Sequence, residues 1–371
     1  MKIKMLCRWL GVAGASTLLA AASASQDMPA RRYAVLEDTP GLSALSLREA
    51  IDPLFDADAD PALGETRALI VMHRGEVVAE RYATGYGPDS RFLSWSMAKT
   101  VTGLLVGIMV SDGRLALDDP APIAAWRQAG DPRGAITLRH LLQMRSGLRN
   151  AEVWQPAARS DALDMLVGDG ARDQAAFAVA KPLVAPPGET FAYSSATSMI
   201  LAGILADQLA PGGNAQARRD AMARFLAARF SGPLGLTGFL PEYDERGTLQ
   251  GAAMMHMTAR DYARIGELIR RRGLVDGRPV IAGKWFDEML APSPANPAYG
   301  AQIWINRAGG TSRLFPGMAS PRLVGAVGHR GQFMLVSPDQ ELVVVRLGNS
   351  RDEEVAPLAE ALARLVRRFP A

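Results

Sequence analysis

Two pairs of short apolar runs, one early and one late in the chain, each bracket a polar turn. Ala68-Leu69-Ile70-Val71-Met72 and Val77 to Tyr82 flank His73-Arg74-Gly75-Glu76, which predicts a β-hairpin. Gln332 to Val336 and Glu341 to Leu347 flank Ser337-Pro338-Asp339-Gln340, which predicts a second, and Gly300 to Ile305 reads as a further strand. Between these ends the apolar spacing turns helical. Helices are expected from Ser96 to near Gly113, a plausible C′ glycine, and over Thr137 to Met144, Ser195 to Gln208, Arg218 to Phe230, Thr258 to Arg272 and Lys284 to Leu290. A short helix is expected over Leu47 to Phe55, after an extended lead-in at 25–45. Pro357 to Phe369 reads as an amphipathic helix with Leu358, Leu362 and Leu365 on one stripe. The pattern therefore predicts an α/β (α+β) protein whose antiparallel sheet is flanked by helices and built from both chain ends. Residues 27–95 and 296–371 would form the sheet domain, and 96–295 an inserted, mainly helical domain.

The first residues follow a different pattern. Lys2, Lys4 and Arg8 precede an apolar stretch from Leu10 to Leu19, and Ala22-Ser23-Ala24 offers a small-x-small cleavage site. Residues 1–24 are expected to be a signal peptide, which implies a periplasmic or secreted protein. Removing them takes three of the 41 basic residues and leaves 38 against 38 acidic ones. The mature chain then has no charge excess to draw it to nucleic acid or to an anionic membrane. Cys7, the lone cysteine, leaves with the signal, so no disulfide is expected. His73, His140, His256 and His329 are scattered, and neither His-Glu-x-x-His nor paired-cysteine spacing occurs. No metal and no cofactor are expected. Gly-x-Ser-x-Gly and phosphate-cradling glycine loops are also missing.

Candidate chemistry begins at Ser96-Met97-Ala98-Lys99, the head of an apolar helix. Residues three apart share a helix face. A serine hydroxyl becomes nucleophilic when a neighbouring base takes its proton, and a desolvated lysine can be that base. Taken alone, the same residues also fit a serine N-cap and a lysine that snorkels to water. Tyr193 likewise fits a core tyrosine with its hydroxyl satisfied. His-Arg-Gly occurs at His73 and again at His329; the first copy reads as a hairpin turn. His140 and His256 read as structural.

Three segments taken together resemble the serine β-lactamase and penicillin-binding-protein superfamily, in its class C-like esterase and amidase branch. They are Ser96-Met97-Ala98-Lys99, Tyr193-Ser194-Ser195 after Pro187-Gly188, and Gly328-His329-Arg330-Gly331. Leu138 to Leu148 and Thr258-Ala259-Arg260-Asp261 resemble further family segments. The pattern is most similar to the 6-aminohexanoate-dimer hydrolases and related esterases. The resemblance implies a β-lactamase-like fold and a serine hydrolase that forms an acyl-enzyme on small esters or linear amides. Ser96 would be the nucleophile, with Lys99 and Tyr193 sharing the proton relay; which of the two is the base stays open. The backbone N–H groups of Ser96 and Gln332 would hold the oxyanion, with Ser195, His329 and Gly331 lining the substrate site. Ser195 stands where β-lactamases usually carry Asn, and His329 where they carry Lys, so carboxylate and amide recognition are both expected to weaken. On a strand, Arg330 would point away from His329 and Gly331. The alternatives are a β-lactamase or D,D-peptidase acting on cell-wall peptides, and a catalytically silent binding protein of the same fold.

Overall fold

Apolar runs from the two chain ends pair into one sheet in the computed structural model of the protein, which describes residues 33–56, 61–152 and 160–371. The expected signal peptide and the start of the lead-in lie outside the described residues. From the N-terminal side come β1 (Tyr33–Leu36), β2 (Glu65–His73) and β3 (Glu76–Tyr82). β4 (Arg91–Leu93), β5 (Leu240–Pro241) and β6 (Met255–Thr258) form a small sheet of their own, and β7 (Leu274–Val275) with β8 (Arg278–Pro279) a ribbon. β9 (Trp304–Ile305), β10 (Val324–Gly328), β11 (Gln332–Ser337) and β12 (Leu342–Asn349) complete the main sheet. Its order is β1-β3-β2-β12-β11-β10-β9, antiparallel throughout, so the β2–β12 ladder joins the two ends of the chain.

The central strands read as unbroken apolar runs because both faces of the sheet are covered. Along β2, Ala68, Ile70 and Met72 enter one core and Leu69 and Val71 the other, as period-2 alternation requires. α1 (Ala44–Ile51) and, at the C-terminus, a long helix over residues 352–366 cover the Leu69–Val71 face. The other face receives the helices between β4 and β9. These are α2 (Met97–Ser111), α3 (Leu138–Leu142), α4 (Asp161–Val167), α5 (Gln174–Val179), α6 (Ser195–Leu209), α7 (Ala215–Leu226), α8 (Ala259–Arg270) and α9 (Gly283–Met289), before the C-terminal α10 (Asp352–Val366). α8 packs on β2, β11 and β12, while α2 runs between α6, α9 and β10. Every residue of α2 from Met97 to Met109 is buried. Gly107 lets α2 approach Trp285, since a Cβ there would stand 2.4 Å from the indole ring.

Five elements depart from the sequence pattern. Only Trp304–Ile305 of the expected 300–305 strand pairs. Gln302 takes a left-handed φ of 62° while its side-chain amide donates to Leu142 O at 3.0 Å, so the chain turns there instead of extending. α10 starts at Asp352, five residues before the expected Pro357. The Arg351 N–H bonds the Glu354 carboxylate at 2.7 Å, and Asp352, Glu353 and Glu354 suit the positive end of the helix. α4, α5 and β10 were not marked by periodicity: the first two are short, and Gly325 and Gly328 interrupt the third. Among the described residues no helix is long and apolar enough to cross a membrane, and no group of three or more His, Cys, Asp or Glu is placed to hold a metal ion.

Candidate active site

Ser96 sits at the entry of α2 with its hydroxyl left free of helix-capping duty. It occupies the N-cap position, yet its side chain makes no cap hydrogen bond, because its φ of −63° and ψ of −6° are already helical. The segment before it is firmly tied. Ser94 N donates to Met255 O at 2.8 Å, and Ser94 Oγ donates to Ala253 O at 2.9 Å. Between them Trp95 takes a φ of 45°, an uncommon conformation for a bulky residue and a local cost. Its indole packs edge-on against the His329 ring at 5.1 Å.

Lys99 does not snorkel. It is 1% exposed, and its Nζ donates to Ser96 Oγ at 3.0 Å, Ser195 Oγ at 2.9 Å and Ala252 O at 3.0 Å. Those three acceptors match the three protons of an ammonium. Burial lowers its pKa from 10.5 to about 8, against the opposing charge of Glu152.

Tyr193 arrives from the turn before α6. Ser194 Oγ caps that helix by accepting from Thr197 N at 3.0 Å, and Asn150 Nδ2 holds the Tyr193 carbonyl at 2.8 Å. The Tyr193 ring stacks on Trp304 at 5.3 Å and 25°, and Lys99 Nζ lies 5.1 Å from its centroid. Burial raises the phenol above its ordinary 10, while a hydrogen bond with Ser96 pulls it the other way. Ser96, Lys99, Tyr193 and Ser195 therefore meet, drawn from α2 and the start of α6.

One participant carried no motif. Glu152 accepts from Ser195 N at 2.7 Å and from the Ser195 hydroxyl, so a carboxylate, a hydroxyl and the Lys99 ammonium form a chain. No spacing rule points to it, since it stands on an irregular segment forty-odd residues from its partner. Trp304, the wall behind Tyr193, was equally hidden in a two-residue strand.

The third segment needs correction. His329-Arg330-Gly331 is not the opening of a strand but the turn between β10 and β11, with Arg330 at φ 62° and Gly331 at φ 75°. The strand argument for the direction of Arg330 therefore does not apply, and both His329 and Arg330 are exposed. His329 reaches the site's border through Trp95. The Gly331 carbonyl and the Gln332 side-chain amide are engaged within the fold: Gly331 O accepts from Arg346 Nη1 at 2.8 Å, and Gln332 Nε2 donates to His329 O, Arg330 O and Gly348 O at 3.1, 3.0 and 2.8 Å. α2 packs on β10 and also touches β11, and Gly328 of β10 abuts Ser94; a Cβ there would meet Ser94 O at 2.6 Å. β11, with Gln332, lies one strand further in, about 4.8 Å away in a sheet.

Comparison with known proteins adds an independent view. The Beta-lactamase family model matches residues 57–368. The 6-aminohexanoate-dimer hydrolase of Paenarthrobacter ureafaciens is 25% identical over 305 residues, covering 78% of this chain and 74% of that protein. A penicillin-binding protein homologue from Caulobacter crescentus superposes with a TM-score of 0.60 at 19% identity, covering 86% of this chain and 97% of its own. A family VIII carboxylesterase superposes with a TM-score of 0.60 at 15% identity, covering 86% and 97%. At such identities the two structures speak for the fold alone.

Proposed function

Since the chain belongs to the Beta-lactamase family, we propose that it is a serine hydrolase that forms an acyl-enzyme on small esters or linear amides, with Ser96, Lys99 and Tyr193 as its catalytic groups. The observation that carries this reading is the Lys99 amine, buried and lowered to about 8, at 3.0 Å from the Ser96 hydroxyl. The relative from Paenarthrobacter, named for a linear amide dimer, supports the substrate class.

Between the two candidate bases the environment discriminates. A base must be deprotonated near working pH; burial moves Lys99 toward that range and Tyr193 away from it. In the proposed sequence, Ser96 Oγ attacks the carbonyl carbon as its proton passes to neutral Lys99. The tetrahedral oxyanion collapses as Tyr193 protonates the leaving oxygen or nitrogen, and the lysine proton restores the phenol. Water then repeats the attack on the acyl-enzyme and frees Ser96. The oxyanion would be met by the Ser96 N–H at the positive end of α2 and by an N–H from β10 between Ala326 and Gly328. β9 pairs only with Val324 and Gly325, so the outer edge of β10 is open beyond them. This second donor takes the place of Gln332. Export before action, directed by residues 1–24, completes the proposal.

Purified protein would be treated with a fluorophosphonate and mapped, then assayed on p-nitrophenyl acetate and butyrate, a linear amide dimer and nitrocefin. The reading expects the adduct on Ser96 and faster turnover of the short esters than of nitrocefin. An adduct on another serine removes the mechanism. A nitrocefin kcat/KM at or above the ester values transfers the protein to β-lactam chemistry.

A further inference from the structure

The hydrogen bonds around Lys99 have a fixed polarity, and the group that sets it stands outside the three motif segments. Residues 150–152 are held from outside the site. Ala151 N donates to Asp161 Oδ2 at 2.7 Å, Asp161 N donates to Ala151 O at 2.7 Å, and Ser160 Oγ donates to Glu152 O at 2.8 Å. Asp161 is itself paired with Lys181. Pinned in this way, the segment holds the start of α6. Asn150 accepts from Ser194 Oγ at 3.1 Å while its amide donates to the Tyr193 carbonyl at 2.8 Å. Glu152 accepts from both the N–H and the hydroxyl of Ser195.

A carboxylate only accepts, and a serine hydroxyl has one proton to give. With that proton on Glu152, Ser195 Oγ can only accept from Lys99 Nζ, 2.9 Å away. Ala252 O, 3.0 Å from the same nitrogen, is a carbonyl and likewise only accepts. A neutral amine has two protons and one lone pair. Its protons are thereby assigned to Ser195 and Ala252, and the lone pair is left facing Ser96 Oγ, the third neighbour at 3.0 Å. Ser96 then donates to the lysine, which is the direction that proton transfer to a base requires. If Ser195 turned its proton toward Lys99 instead, the lone pair would be occupied there. The amine would then donate to Ser96 and hold that hydroxyl as an acceptor.

We propose that Glu152 is a positioning residue that, through the Ser195 hydroxyl, aims the lone pair of neutral Lys99 at Ser96. It acts by excluding the opposite hydrogen-bond polarity. Ser195, its one proton engaged, has none to offer a substrate carbonyl. This inference rests on the serine-hydrolase reading and deepens it.

The test separates this effect from that of the Glu152 charge. Glu152→Gln presents one acceptor and one donor to a serine that offers two protons, so the opposite polarity becomes available. Turnover of p-nitrophenyl butyrate is read on the high-pH plateau, where Lys99 is neutral in the natural and variant proteins alike. Glu152→Gln is expected to lower kcat on that plateau roughly tenfold with KM little changed, and to slow fluorophosphonate labelling of Ser96 by a similar factor. Ser195→Ala removes the turning hydroxyl, so in that background Glu152→Gln costs less than about twofold. An unchanged plateau with only a displaced pH limb means that the carboxylate acts through its charge alone, and overturns the proposal. A loss of the same size in the Ser195→Ala background also overturns it, since a purely structural role does not need the hydroxyl. Labelling of Ser96 and ester turnover by the natural protein keep the hydrolase reading standing through either result. If both are absent, that reading fails and the proposal with it.

Discussion

At the scale of single residues, the proposed base role of Lys99 turns on how far burial shifts a lysine toward its uncharged form. Lys99 is buried with no carboxylate in direct contact, so desolvation disfavours its charged form against the three acceptors that favour it, and its pKa falls to about 8. If the neutral amine is the base, kcat/KM rises with pH through a limb centred near 8, since the active form is the deprotonated one. A rate flat from pH 6 to 10 would remove Lys99 from that role. Glu152 holds the lysine pKa up, so Glu152→Gln moves the limb to lower pH while keeping one acceptor for Ser195. An upward shift would contradict the charge chain. Ser96→Ala should abolish labelling and turnover yet leave the thermal midpoint close to that of the natural protein, because the hydroxyl caps nothing. Lys99→Ala and Tyr193→Phe should each cost roughly a hundredfold or more in kcat and combine to less than the product, which a double-mutant cycle measures.

At the scale of elements, α2 illustrates how packing overrides local preference. Replacing a helix-interior glycine by alanine is worth roughly 1 kcal/mol in intrinsic propensity. At Gly107 the new methyl would stand 2.4 Å from the ring of Trp285, which is only 2% exposed and cannot swing away. Overpacking of a dense core costs about 1–3 kcal/mol, so Gly107→Ala should lower the thermal midpoint despite the better helix former. A midpoint that rises would show that α9 yields. The hairpins were legible because turn chemistry is local: Arg74 and Gly75 take the left-handed angles that a tight turn needs. α10 was legible in its stripe but not in its start. Its first turn rests on Asp352, Glu353 and Glu354, which precede any apolar residue of the pattern.

At the scale of the whole molecule, the β2–β12 ladder closes the sheet across nearly the length of the chain, and the helices between set α2 on β10 and β11 and α6 against α2. Ser96 and Tyr193 thus meet across almost a hundred residues of sequence. Charge is also a property of this scale. If export removes residues 1–24, the mature protein begins near Ser25 and carries 38 basic and 38 acidic residues, so its isoelectric point should fall well below the precursor's 9.1. N-terminal mass spectrometry with isoelectric focusing of the exported pool checks both; an intact Lys2 would contradict the cleavage.

The sequence by itself determined the apolar strand runs and their turns, the apolar run of α2, the Ser96–Lys99 pair and the Tyr193 turn. Each depends on residues within a few positions of one another, where dihedral preference and periodicity act. Tertiary structure alone decided the rest. It set Ser195 between Lys99 and Glu152, stacked Trp304 behind Tyr193 and turned His329-Arg330-Gly331 into a hairpin bend. Those contacts join segments far apart in the chain, and desolvation, the force that shifts Lys99 and Tyr193 in opposite directions, exists only once the surrounding walls have closed.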